Sequence, residues 1–171
     1  VTHPLVIQLR FTRSELIRAL NGVSDQEARR RFPPMNCISW MLAHLTSQEH
    51  RYWLVAAQGT VLVPEVDQLA AYGKPATAPP LDDMWEAWHR VTRASDSFLE
   101  SMTTTGLQAH PLVNGKPIDH SLGSLLQRVI YHYWFHIGEA QAVRQLLGHT
   151  DLPEFVGDIH LEALYQPEPS V

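Results

Sequence analysis

The stretch Ser121 to Gly148, SLGSLLQRVIYHYWFHIGEAQAVRQLLG, decides the fold. Leu122, Leu125, Val129, Ala140, Val143 and Leu147 recur at the three- and four-residue spacing of one helical face, and Gly148 supplies a stop. His132 and His136 stand in the middle of that stripe, where further apolar residues would be expected. Four residues apart, their rings leave the helix on one face, one turn from each other, and can grip one ion together. The chain holds ten histidines, so an HxxxH pair arises easily by chance, and its position carries more information than its spacing. Two imidazoles buried side by side with nothing to satisfy their nitrogens would cost a few kcal/mol. Either a metal or a hydrogen-bond network answers that cost, and the spacing leaves both open.

Working outward, three more segments carry the same period. The first, from about Leu5 to Leu20, sets Leu5, Leu9, Thr12, Leu16 and Ala19 on one face before Asn21-Gly22. A second follows Pro33-Pro34, with Asn36 as its expected cap, and runs through Ile38, Met41, Leu45, Tyr52 and Ala56 to Gly59. The third follows Pro79-Pro80 with Leu81, Trp85, Trp88, Val91, Ser95, Phe98 and Met102. Ser24 and Glu27 form a capping-box pattern ahead of the basic run Arg29 to Arg31, which reads as the wet end of a short helix. Asn114-Gly115 can close a small hairpin over Val113 to Pro117, incidental to the rest.

These signals predict an all-α fold, a four-helix bundle making one domain over 1–171. The proline-rich stretch from Gly59 to Pro80 far exceeds the ~2–8 residues that usually join antiparallel helices in a bundle. Extended chain covers ~3.3 Å per residue against ~1.5 Å in a helix, so this stretch can cross the full bundle and leave the second and third helices parallel. The predicted order is up-down-down-up with a long crossover between helices two and three. Residues 149–171, with Pro153, Pro167 and Pro169, read as a surface-wrapping tail.

Composition removes several function classes. Thirteen Lys and Arg against eighteen Asp and Glu leave a net charge of −5, which repels a phosphate backbone, so no nucleic-acid partner is expected. No stretch reaches the ~18–20 apolar residues of a membrane span. One cysteine, Cys37, cannot form an internal disulfide, and no leader-like segment opens the chain, so a cytoplasmic setting is expected. The HExxH, GxSxG, GxGxxG and Walker patterns are absent.

Other side chains bear on the site. Glu139, three residues after His136, can be a further ligand, an acceptor for an imidazole N–H, or a plain surface carboxylate paired with Arg. His44 lies in line with Met41, Gln48 and Tyr52, beside the apolar stripe of the second segment, and can face the same cavity. His50 points about 240° round from His44 and is expected in solvent. His89, His110, His120, His149 and His160 read as surface residues. Cys37 reads as a small buried filler near a helix start. Of the five tryptophans, Trp40, Trp53, Trp85, Trp88 and Trp134, most read as core or dimer contacts, with room for some beside a metal pocket.

PPMNCISWMLAHLTSQEHRYW, with Trp40 four residues before His44, and YHYWFHIGEAQAVRQLLGH resemble helices two and four of the DinB-like superfamily. That resemblance implies a divalent ion inside a four-helix bundle, held by one histidine of helix two and an HxxxH pair of the last helix: His44, His132 and His136. It also implies, for part of the family, metal-dependent transfer chemistry with a low-molecular-weight thiol such as mycothiol, bacillithiol or glutathione, and a homodimer. Three imidazoles leave a coordination position open, where a water or a thiol loses its proton near neutral pH. The expected chemistry is a transferase acting on a small molecule, with Glu139 and Gln48 as orienting or proton-carrying groups. The competing readings are a hydrolase using bound water and a non-enzymatic bundle with a structural or sensing ion. Three-His sites accept Zn²⁺, Ni²⁺, Fe²⁺ or Co²⁺.

Overall fold

The computed structural model of the protein describes residues 1–167, and helices dominate them. α1 spans Pro4–Leu20; Pro4 occupies the first turn, where its missing N–H costs nothing, and His3 Nδ1 accepts the Leu5 N–H at 3.1 Å. α2, Asp25–Arg29, is the short helix announced by the Ser24/Glu27 capping box, in which both reciprocal bonds form. α3 runs Ile38–Glu49 and passes without interruption into a π-helix over His50–Ala56. α4, Pro64–Ala70, lies inside the crossover, and α5, Leu81–Glu100, follows the second Pro-Pro pair. After α6, Thr104–Leu107, come the two-residue strands β1, Leu112–Val113, and β2, Lys116–Pro117. Asn114 and Gly115 join them at φ 53° and 74°, the left-handed pair that a tight Asn-Gly turn requires. α7, Leu122–Leu146, starts at the cap Ser121, and α8 is the short Ile159–Glu162.

Three sequence expectations need correction. α3 is not capped by Asn36: Cys37 holds the N-cap position, no side-chain bond forms there, and Asn36 lines a pocket instead. The crossover is not plain extended chain, because Pro64 at a first turn, the acids Glu65 and Asp67 near it, and buried Val66 and Ala70 four apart make a short helix. His50 is not in solvent. It does not join His44 in the trio, and the crossover covers it: its Nδ1–H faces Asp67 Oδ2 at 3.1 Å and its Nε2 accepts the Leu62 N–H at 3.0 Å. Cys37 is wholly buried as a filler, its Sγ 3.5 Å from the Thr77 carbonyl oxygen.

Specific pairs set how the four long helices lie. Phe11 meets Trp134, and the Arg144 guanidinium donates to the Ala19 carbonyl, so α1 and α7 run in the same direction. Thr2 donates to Glu100 and Arg10 to Asp96, so α1 and α5 run in opposite directions. Trp40 meets His136 while Gln48 meets His132, so α3 and α7 also oppose each other. At the centre all four share one buried polar node. Arg13 forms a two-pronged ion pair with Glu49 and donates to Ser95 Oγ at 3.2 Å; Tyr133 donates its O–H to Glu49 and accepts the Trp88 N–H at 2.7 Å. Glu49 follows Gln48 and Tyr133 follows His132, so this node fixes the register of α3 on α7 one residue from the candidate ligands.

Around the node the core is apolar, with Leu9, Leu16, Leu42, Leu45, Val91, Leu125 and Val129 almost wholly shielded. Of the tail expected over 149–171, the described part crosses α1: the Arg18 guanidinium donates to the Glu154 carbonyl at 2.7 Å, and Gln8 donates to the Ala163 carbonyl at 2.9 Å. Residues 168–171, with Pro169, lie outside the described residues. No described helix is long and apolar enough to cross a membrane.

Candidate metal centre

The helical stripes bring His44 of α3 and His132 and His136 of α7 to one point. One ring nitrogen of each lies within 4.8 Å of the others, and the three rings touch edge to face, 4.5 to 5.4 Å apart between centres. Trp40, one turn before His44, stacks on that imidazole with ring centres 4.6 Å apart and planes only 13° from parallel. The indole thus holds His44 in one orientation by contact area on its face.

The far side of each ring meets an oxygen. His44 Nδ1 lies 2.6 Å from the Ala70 carbonyl oxygen at the end of α4, an atom that can only accept, so this nitrogen carries the proton. His132 Nδ1 lies 2.8 Å from Gln48 Oε1. His136 Nδ1 comes within 2.6 Å of Glu139 Oε2, an approach too poorly aligned for either atom to complete a hydrogen bond. With Nδ1 as the donor, His44 and His132 each direct an Nε2 lone pair inward. His132 Nε2 and His136 Nε2 sit 2.9 Å apart. Facing lone pairs at that separation repel, so the contact requires a proton or a cation between them, and 2.9 Å is within the reach of two bonds of about 2.0–2.1 Å to one ion.

Burial keeps these rings neutral. It pushes His132 down to about 4 and His136 down to about 3, with the neighbouring imidazoles adding to the effect, and it lowers His44 as well. A neutral imidazole is the form that ligates. Burial acts on Glu139 in the opposite sense and raises its proton affinity. The donor set, its neutrality and the inward lone pairs therefore fit a divalent ion.

A pocket of about 430 Å³ opens on the trio, with Gln48, Tyr52, Phe135 and Glu139 among its walls. Its volume lies within the range of small-molecule sites. A family model of the DinB superfamily matches residues 8–140, a span containing most of α1, all of α3 and α5, the three histidines and Glu139. The chain belongs to the DinB superfamily. No curated protein matches it.

Of the residues picked from sequence, His44, His132, His136, Gln48 and Glu139 all lie at this DinB-superfamily site. His50, His89, His110, His120, His149 and His160 do not join the trio; His149 instead accepts from Arg144 and faces Glu27 at 3.0 Å. Sequence reading missed the support from α4. Asp67 receives Ser47 Oγ–H at 2.6 Å and faces His50, which pins α4 against α3 and sets the Ala70 carbonyl on His44. Pro64 with its flanking acids signals a helix start there, but nothing in the spacing says which residue the last carbonyl would meet.

Proposed function

We propose that this DinB-superfamily chain is a metal-dependent enzyme that joins a low-molecular-weight thiol to a small electrophile, with His44, His132 and His136 as ligands. The observation that carries it is the set of inward imidazole nitrogens, the closest pair 2.9 Å apart, beside an open pocket. When bound, the divalent ion supplies Lewis acidity that favours thiolate over thiol at neutral pH. The protein contributes orientation: Gln48 and the Ala70 carbonyl fix two imidazoles by their Nδ1–H groups, and Trp40 fixes the plane of one. Glu139, in the pocket wall and with raised proton affinity, suits the task of taking the thiol proton. The sulfur then forms a bond to the electrophilic carbon, whose leaving group departs with its electron pair.

We read the scaffold as a four-helix bundle of up-down-down-up order. The pairs Phe11 with Trp134, Arg10 with Asp96 and Gln48 with His132 support that order. Elemental analysis of untagged protein should find about one divalent ion per chain. Calorimetry on that protein should find a thiol binding more tightly than its S-methyl derivative, with proton release, and the preference should vanish in His44→Ala. Equal binding of thiol and S-methyl thiol would turn the reading toward a hydrolase or a non-enzymatic ion.

A further inference from the structure

Beyond the trio, the pocket changes character along its length. α3 and α7 run in opposite directions with Gln48 against His132. The first turn of the π-helix that continues α3 therefore lies opposite the preceding turn of α7, about one turn further along the axis. Arg51 and Arg128 occupy those two positions and both line the pocket. Among the described residues neither forms a hydrogen bond or an ion pair, whereas Arg10, Arg13 and Arg18 each hold a carboxylate. Asp67 feels the charge of Arg51, but its two oxygens already meet Ser47 and His50. Glu139, the carboxylate in the pocket wall, lies next to His136, at the other end of the trio. In a chain of net charge −5, this end of the pocket holds two cations with no carboxylate of its own between them. Tyr72 and Phe135, both largely exposed, add aromatic surface to the same walls and suit a ligand with some apolar body.

We propose that the pocket takes a small thiol that carries a carboxylate, the carboxylate held by Arg51 and Arg128 and the sulfur directed at the three imidazoles. The planar guanidinium fork matches a carboxylate in two-bond geometry, and two forks one turn from the trio set both the distance and the direction of the sulfur. Uncharged thiols of similar size lose this anchor. The inference rests on the thiol reading above for the sulfur, while the arginine clamp stands on its own observations.

The two parts can be separated by calorimetry on zinc-loaded and metal-free protein, with glutathione, S-methylglutathione and glutathione diethyl ester as probes. Glutathione should bind the zinc-loaded protein at least tenfold more tightly than its diester. Arg51→Gln and Arg128→Gln should each weaken glutathione and S-methylglutathione by the same factor, about tenfold, leave the diester unchanged and reduce the salt dependence of binding. The metal-free protein should bind S-methylglutathione with the same dependence on both arginines. Circular dichroism should show unchanged helix in these surface variants. Diester binding equal to that of the free acid, affinities unmoved by both substitutions, or no binding of glutathione to the zinc-loaded protein would overturn the clamp. If thiol and S-methyl forms bind equally while the arginine dependence persists, the thiol reading falls and the clamp remains.

Discussion

Glu49 and His132 are both polar residues where the same pair of helices, α3 and α7, meet, and they follow opposite rules. Around Glu49 every demand is met from within: Arg13 balances its charge, Tyr133 donates its O–H to it, Ser95 accepts a further Arg13 N–H, and Trp88 donates to Tyr133 to close the set. Around His132 the Nδ1 side is answered by Gln48, while on the Nε2 side imidazole nitrogens face one another. A closed node of this kind fixes register and asks for nothing further. An open one keeps an electrostatic cost that a cation removes. The contrast separates scaffold from site more sharply than burial does, since Glu49 is shielded completely and His136 nearly so.

The largest effect should come from breaking the closed node. Glu49→Ala leaves the Arg13 guanidinium buried without its counter-ion, and urea unfolding should show a loss of about 3–5 kcal/mol. Metal bound per folded molecule should stay near that of the unaltered protein; a parallel loss of metal would mean that the two clusters are one unit. Opening the site has the reverse signature. His132→Ala or His136→Ala should remove most of the metal while changing the stability of the metal-free protein by about 1 kcal/mol or less. Chelation alone should leave the far-ultraviolet helical signal in place, because the apolar faces bury a core without the ion. Collapse of that signal on chelation would show that the ion is a structural staple.

The open cluster was legible in the sequence because it interrupts a periodic stripe: His132 and His136 replace apolar residues on a face whose period is unmistakable. One helix start and the hairpin turn were legible for a similar local reason, at the Ser24/Glu27 box and at Asn114-Gly115. The closed node was not. Arg13, Glu49, Ser95 and Tyr133 belong to four separate helices, and no local pattern tells a buried arginine from an exposed one. His50 failed in the same way: its burial depended on a crossover that folds back over it. Periodicity reports which residues share a face of one helix and is silent about what later covers the other faces.

Acid should sharpen the comparison. An unfolded chain takes up protons on its histidines below their ordinary value of 6.5, whereas folded His132 and His136 stay neutral down to about 4 and about 3. The unfolded state thus binds more protons throughout that interval, and stability, complete above 6.5, falls as the pH drops through it. Urea midpoints of metal-free protein should decrease from neutral pH toward pH 4, and the double variant His132→Ala/His136→Ala should show a flatter profile. Identical profiles would mean that the two imidazoles titrate in the folded protein as they do in water.

The smallest effect, and the most specific, concerns the hold on His44. Its Nδ1–H is fixed by the Ala70 carbonyl, and Ala70 is placed by α4, which Asp67 ties to α3 through Ser47 and His50. Asp67→Asn preserves the shape but removes the charge and one of the acceptor oxygens, so α4 keeps its apolar anchors Val66 and Ala70 while its angle on α3 loosens. A backbone acceptor that drifts from the imidazole lets the ring rotate, and loss of such an outer partner typically costs 10- to 100-fold in metal affinity. Since α4 supplies one partner among three, about tenfold is expected, with little change in the urea midpoint. A competition titration against a zinc-sensitive dye would measure it, and Asp67→Glu should restore part of the affinity by returning the carboxylate. Metal affinity unchanged in Asp67→Asn would mean that stacking on Trp40 alone orients His44.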